Sequence, residues 1–311
     1  MAYEAKILKD SVSPDGVRLT TMEVTFPRIV LAEFNTHRVF SRNSASSRAI
    51  PIEKMLAKVE NDPFVPIYWG KNQKGMQAEE EFSEHEGEGL RLQWLRARDH
   101  AVFHAKSLLA TGVHKQITNR LLEPWLWHTV IVTSTEWDNF WGLRCNPMAQ
   151  PEIQFVARMM KKIYDESTPE RLDYGDWHLP LVQDDEAWPT DGITYFTIDN
   201  VVKVCVGRCA RVSYLTHDGK RDPRADIELC ERLQKAGHMS PMEHCARPMT
   251  SADAQDIVLS QLESCGTMMP DVNPRNVFCG NFRGWVQSRK EMPNEDNFLK
   301  AQDLELKDSK E

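Results

Sequence analysis

Thr36-His37-Arg38-Val39-Phe40-Ser41-Arg42-Asn43-Ser44-Ala45-Ser46-Ser47-Arg48 gathers the side chains that hold anions: three arginines, a histidine, four serines, a threonine and an asparagine, without a single carboxylate. The surrounding chain is acidic, with 46 Asp and Glu against 38 Lys and Arg over 311 residues and a formal net charge of −8. A guanidinium fork matches the oxygens of a phosphate, and hydroxyl and amide groups complete such a cradle with little bulk. The window follows a β-patterned stretch and has helical character, so its first turn is expected to aim backbone N–H groups at an anion. A solvated helix start bearing surface arginines explains the same composition equally well.

The elements around the window are read from periodicity. Residues 17–34 read as extended, with Met22, Val24 and Phe26 alternating with polar residues and Pro27 requiring an edge or a bulge. Residues 125–135 are rich in β-branched and aromatic types and predict a strand, as do residues 194–206. Helical spacing covers 90–111, stopped by Gly112, then 151–164, entered at Pro151, and 224–236, stopped by Gly237. Residues 70–89 read as a solvated loop or helix start, 166–192 as a connector and 292–311 as a frayed tail. No apolar run approaches the roughly 20 residues that span a bilayer. The seven cysteines form no scaffold pattern, and their odd number suits a reducing cytoplasm. The acidic balance argues against binding a nucleic-acid polymer.

The order of residues within the cationic window resembles the signature of the flavin-dependent thymidylate synthases: Arg-His-Arg, two residues, Ser-x-Asn-Glu, one residue, Ser-x-Arg. His37, Arg38, Ser41, Asn43, Ser46 and Arg48 occupy matching places, while Thr36 replaces the first arginine and Ser44 the glutamate. Asn139-Phe140-Trp141-Gly142-Leu143-Arg144, followed by Ala149-Gln150 and Glu152-Ile153, resembles the family's Asn-Phe-x-x-Leu-Arg and Ala-Gln-x-Glu-Ile stretch. Arg120 to Pro124 is similar to its Arg-x-x-x-Pro element. Ala210-Arg211-Val212-Ser213 and Gly237-His238-Met239-Ser240-Pro241-Met242-Glu243-His244 resemble two further motifs that stand first in family members and last here. The resemblance therefore implies a single α/β (α+β) domain over residues 1–311, with an antiparallel sheet, flanking helices and a circularly permuted order. Residues 246–290 have no counterpart. Within them Asn281–Arg289 is expected to form an extra strand, and Arg283 or Arg289 to replace the cation missing at Thr36.

The resemblance implies reductive methylation of deoxyuridylate, with FAD bound, methylenetetrahydrofolate as carbon donor and NADPH as reductant, in a cytoplasmic homotetramer. Carried over position by position, His37, Arg38, Asn139, Ser213, His238 and Ser240 line FAD. Glu33, Ser46, Arg48, Arg120 and Arg144 bind the nucleotide, with Arg144 and Ser46 at the chemistry. Glu33 stands where the family has glutamine; a carboxylate only accepts hydrogen bonds, which keeps deoxycytidylate open as a substrate for methyl or hydroxymethyl transfer. A non-catalytic nucleotide-binding protein is the alternative from another class. No metal is expected. His100 and His104, one helical turn apart, lack a third ligand, Cys205 and Cys209 read as buried thiols at a strand end, and Cys145 lacks the context of a nucleophile.

Overall fold

The computed structural model describes residues 3–183, 197–213, 221–261, 272–292 and 295. Five strands form the central sheet: β1 (Glu4–Val12), β2 (Arg18–Pro27), β3 (Ser41–Ser44), β4 (Trp127–Ser134) and β5 (Glu170–Arg171). Their order is β3-β4-β2-β1-β5, antiparallel throughout except between β1 and β5. Among the described residues the α-helices are α1 (Leu31–Asn35), α2 (Ile52–Asn61), α3 (Glu84–Ala110), α4 (Lys115–Thr118), α5 (Asp138–Arg144), α6 (Pro151–Glu166), α7 (Ile198–Ser213), α8 (Pro223–Lys235), α9 (Ser251–Gln261) and α10 (Ser288–Glu291).

Helices cover both faces of the sheet. On one face Met22, Val24, Phe26, Val130 and Val132 meet Phe140 and Trp141 of α5 and Ile153, Val156, Ala157 and Met160 of α6. On the other, Ile131 meets Cys205, Val206 and Cys209 of α7 and Leu229 and Cys230 of α8. The polar residues that alternate along β2 are consequently buried rather than solvated: Thr20, Thr21 and Thr25 are each at most 3% exposed. Each has a polar partner, as buried polar groups must: Thr20 Oγ1 donates to Asp10 at 2.8 Å, and Thr25 Oγ1 lies 2.8 Å from Thr129 Oγ1. Thr21 and Thr133 hydroxyls lie 2.7 Å apart, His178 Nε2 is 2.8 Å from Thr21 and His244 Nδ1 is 2.8 Å from Thr133. His178 Nδ1 reaches Ser11 Oγ at 2.9 Å, and His244 Nε2 has no partner. One proton order strands no ring N–H: His244 Nδ1 donates to Thr133, Thr133 to Thr21, Thr21 to His178 Nε2, and His178 Nδ1 to Ser11.

Local signals set several boundaries. A capping box at Ser83 and Glu86 starts α3 six residues before the periodic stretch read from sequence. Pro151 opens α6, Asp222 caps α8, and Gly237 at φ +70° ends the α8 turn. Long-range packing overrode the sequence in other places. The described part of 194–206 is helical, not extended, and Cys205 and Cys209 stand within α7 rather than at a strand end. Its valines and cysteines at 201, 202, 205, 206, 209 and 212 recur at helical spacing and are buried against the sheet and α8. A Cβ at Gly207 would stand 2.4 Å from the Asp226 carbonyl oxygen, so the two helices approach backbone to backbone there. The expected helical character of 36–48 is also wrong: Ser41–Ser44 pairs with β4 as an edge strand, and extended structure in 17–34 ends at Pro27.

Residues 166–183 are built into the fold rather than merely joining two parts of it. β5 pairs with β1, His178 bridges to Ala246, and the Pro180 and Leu181 carbonyls accept from Cys205 Sγ and Arg208. The expected strand at Asn281–Arg289 is divided into β8 (Phe282–Arg283) and β9 (Trp285–Gln287), which pair with β7 (Phe278–Cys279) and β6 (Ala246–Pro248). The remainder of the connector, residues 184–192, and the tail beyond 292 except Glu295 lie outside the described residues. Among the described residues no helix is long and apolar enough to cross a membrane.

Candidate active site

The cationic window becomes a strap held at both ends. Upstream, β3 hydrogen-bonds along β4, and Asn43 Nδ2 donates to the Cys209 carbonyl of α7 at 2.7 Å. Downstream, fully buried Asn119 donates to the carbonyls of Ser47 at 2.6 Å and Ile50 at 2.9 Å. Ser47 Oγ donates to Glu123 at 2.6 Å, and Lys115 Nζ to the Ala49 carbonyl at 3.0 Å. Ser46 and Arg48, between these anchors, are exposed.

The strap forms one wall of a cavity of about 360 Å³. Asn43, Ser44, Ser46 and Arg48 line it from one side, His238 and Ser240 from the other, and His114 and Gln116 close a third. The turn after α8 positions its part: His238 N–H donates to the Leu233 carbonyl at 2.9 Å around Gly237, which directs the following residues across the helix end. Ser240 Oγ then reaches Asn43 Oδ1 at 3.4 Å. Two groups predicted for the nucleotide and two predicted for the flavin thus share one cavity, although almost 200 positions separate them in sequence. His114 and Gln116 were missed; His114 caps α4 by accepting from Gln116 N–H, and no motif in the sequence marks either residue.

Arg144 organises a second cluster. Its Nε donates to His37 Nε2 at 3.0 Å, and its Nη2 to Thr36 Oγ1 at 2.9 Å and the Glu33 carbonyl at 3.1 Å. The His37 ring packs on Phe140 and Phe40. Burial and the neighbouring Arg144 charge push His37 down to about 4, while a hydrogen bond to Asn139 acts the other way. The ring is therefore neutral at pH 7, with Nε2 as acceptor and its proton on Nδ1, facing Asn139. Glu33 has a buried carboxylate oxygen, Oε2, with no partner. Arg283 and Arg289 do not replace the missing cation at Thr36: Arg283 pairs with Glu136 and Arg289 with Glu243, and Thr36 is itself bonded by Arg144.

The predicted residues are thus divided among three places. Ser46, Arg48, His238 and Ser240 share the cavity; Glu33, His37, Asn139 and Arg144 form the second cluster. Arg120 lines a separate cavity of about 450 Å³ and pairs with Glu123 at 2.7 Å. Arg28 and Ser47 also hold Glu123, and these contacts keep its carboxyl below the ordinary range despite burial. Arg38 is exposed. The side chain of Ser213 lies outside the described residues.

Comparison with known proteins bears on this arrangement. No curated protein matches the chain. Two solved structures of a UMP/dUMP methylase, PolB from Streptomyces cacaoi, bound with 5-Br UMP and with 5-Br dUMP, are each 16% identical to it. The first covers 53% of this chain and 89% of its own at a TM-score of 0.43, the second 53% and 90% at 0.44. Residues 17–170 match the family described as Thymidylate synthase complementing protein, a span that contains the strap, Arg120 and the Arg144 cluster. The similarity to the thymidylate synthase complementing protein family thus covers residues 17–170, just under half of the chain.

Proposed function

We propose that the protein is a flavin-dependent methyltransferase that converts deoxyuridylate to thymidylate with methylenetetrahydrofolate and NADPH. The observation that carries this reading is the cavity where Ser46 and Arg48 meet His238 and Ser240. Arg38 and Arg48 have no ion-pair partner among the described residues, in a chain where acids outnumber bases. Unpaired guanidinium groups beside hydroxyls suit the phosphate of a nucleotide and the pyrophosphate of FAD. The residues fit both ligands in kind, but one cavity of about 360 Å³ is small for the pair. Arg144 and Arg120 stand in other places, so we infer that the working site is completed between subunits of an oligomer, and that the late position of the Arg-Val-Ser and Gly-His segments reflects circular permutation. Their packing of α7 and residues 240–244 against β3 and β4 supports that inference.

Bound FAD supplies the hydride, and the folate supplies the carbon. The chain's own groups do the holding. Arg48 and Ser46 fix the phosphate. Neutral His37 accepts from Arg144 and orients its guanidinium, whose Nη1 has no bond among the described residues and is left to stabilise negative charge developing on the pyrimidine. A second reading, deoxycytidylate as substrate, is favoured by Glu33: its unpartnered Oε2 suits the exocyclic amine of cytosine better than the carbonyl of uracil. One experiment tests both. The purified protein is expected to be yellow, to bind FAD and to add one methyl group to deoxyuridylate, read by mass; a colourless protein without FAD affinity refutes the enzyme, and turnover of deoxycytidylate alone selects the second reading.

A further inference from the structure

His114 reaches the strap cavity by a local device at the end of α3. Gly112 N–H donates to the Leu109 carbonyl at 2.9 Å and Val113 N–H to the Leu108 carbonyl at 3.0 Å. This pair of bonds needs a left-handed residue, and Gly112 supplies it at φ +85°. The chain reverses there and sets His114 in the cavity wall. His114 then caps α4, with Nδ1 accepting from Gln116 N–H at 3.2 Å.

That cap decides what the other ring nitrogen can do. A neutral imidazole carries one proton, and Nδ1 is occupied as an acceptor, so the proton is on Nε2. Nε2 has no protein partner among the described residues. The cavity that the ring lines contains no Asp or Glu among those residues. The groups near it are donors as well. Ser46 Oγ accepts from Arg48 N–H at 3.4 Å, which leaves its O–H to donate, and the Arg48 guanidinium makes no ion pair among the described residues. Two clamps fix the distance between the segments that carry these groups. Lys115 Nζ donates to the Ala49 carbonyl at 3.0 Å, and Asn119, just after α4, holds the Ser47 and Ile50 carbonyls. A phosphate dianion carries more charge than one guanidinium cancels and has oxygens left for further donors.

We propose that His114 is a phosphate ligand of this cavity, its Nε2–H donating to an oxygen of the nucleotide phosphate held by Ser46 and Arg48. The inference rests on the placement of the nucleotide in this cavity and adds to it a residue outside every motif. The cap is then a positioning device: by occupying Nδ1 it keeps the donor on the nitrogen that is free for the ligand.

Two substitutions separate the ligand from the cap. His114→Asn keeps a side-chain oxygen able to cap α4 but has no donor at the place of Nε2. His114→Gln carries an amide N–H near that place but is a poor cap. Both are compared with the unaltered full-length protein and with Arg48→Ala, by calorimetric titration of deoxyuridylate and of FAD. His114→Asn is expected to weaken deoxyuridylate about tenfold, the lower end for a hydrogen bond to a charged group, with unchanged FAD affinity and urea midpoint. His114→Gln is expected to retain more of the deoxyuridylate affinity and to lower the urea midpoint. The ³¹P resonance of bound deoxyuridylate is expected to move in His114→Asn. If Arg48→Ala weakens deoxyuridylate and His114→Asn does not, the role of His114 is overturned and the placement of the nucleotide stands. If neither weakens it, both fall. A greater loss in His114→Gln than in His114→Asn, an unmoved ³¹P resonance in His114→Asn, or a loss confined to FAD also overturns the inference.

Discussion

Asn119→Ala separates the strap from the rest of the fold. Asn119 is fully buried and sends both amide hydrogens to strap carbonyls, Ser47 at 2.6 Å and Ile50 at 2.9 Å. Ser47 is 2% and Ile50 8% exposed, so water does not readily replace the lost donor. Leaving a buried acceptor unmatched costs about 1–3 kcal/mol. Two such carbonyls, less the relief of removing Asn119 Oδ1, which has no partner of its own, give a loss of about 2–4 kcal/mol. Against a total stability of about 5–15 kcal/mol this is large, and for a chain of this size it lowers the melting temperature by about 3–6 °C. Urea unfolding measures it, with calorimetric titration of deoxyuridylate in parallel, since Ser46 and Arg48 depend on the same anchor. Asn119→Asp keeps the shape but turns oxygens toward carbonyl oxygens, so it must destabilise at least as much. A loss below about 0.5 kcal/mol, the ordinary range of neutral surface changes, refutes the account of the strap. An unchanged nucleotide affinity in a destabilised Asn119→Ala protein refutes its connection to the cavity.

Arg48→Ala is expected to weaken deoxyuridylate about tenfold or more while leaving the urea midpoint within experimental error, because Arg48 is exposed and makes no ion pair among the described residues. Stability should fall as pH drops from about 6.5 toward 4: His37 sits at about 4, His128 and His244 at about 3 and His178 well below its ordinary value, all chiefly through burial, so the unfolded chain binds protons that the native state refuses. An urea midpoint that is flat between pH 7 and 5 contradicts this. Asp253→Asn is expected to cost about 1–2 kcal/mol, read by thermal unfolding. Asp253 takes a two-pronged Arg247 contact at 2.8 Å on each oxygen and also accepts from Thr250 ahead of α9, contacts that hold its carboxyl well below the usual range.

How far the sequence could be read depended on the range of the forces involved. The ends of α6 and α8 were legible because proline at a helix start and glycine at a helix end act over a few residues. β4 was legible because its β-branched run has no competing helical period. Residues 198–206 misled because valine favours strands by itself, whereas the sheet and α8 offered a groove that only a helix at that spacing fills. The strap misled in the opposite direction: its serines and arginines look like a helix start until the free edge of β4 pairs with Ser41–Ser44. His178 could not have been found at all, since a histidine in a Pro- and Gly-containing connector gives no sign that its ring completes a buried hydroxyl chain.

The sequence by itself determined which chemistry is available. An acid-free run of arginines and hydroxyls in an acidic chain supplies groups able to hold a phosphate, because charge and hydrogen-bonding capacity belong to the side chains. The tertiary structure alone decided what each of those groups is free to do. It brought His238 and Ser240 to Ser46 and Arg48, joined Arg144 to His37 and occupied Arg120 with Glu123. Whether a guanidinium meets a ligand or a neighbour depends on which carboxylate, ring or carbonyl the fold sets within about 3 Å of it, and sequence spacing does not encode a distance between residues far apart in the chain.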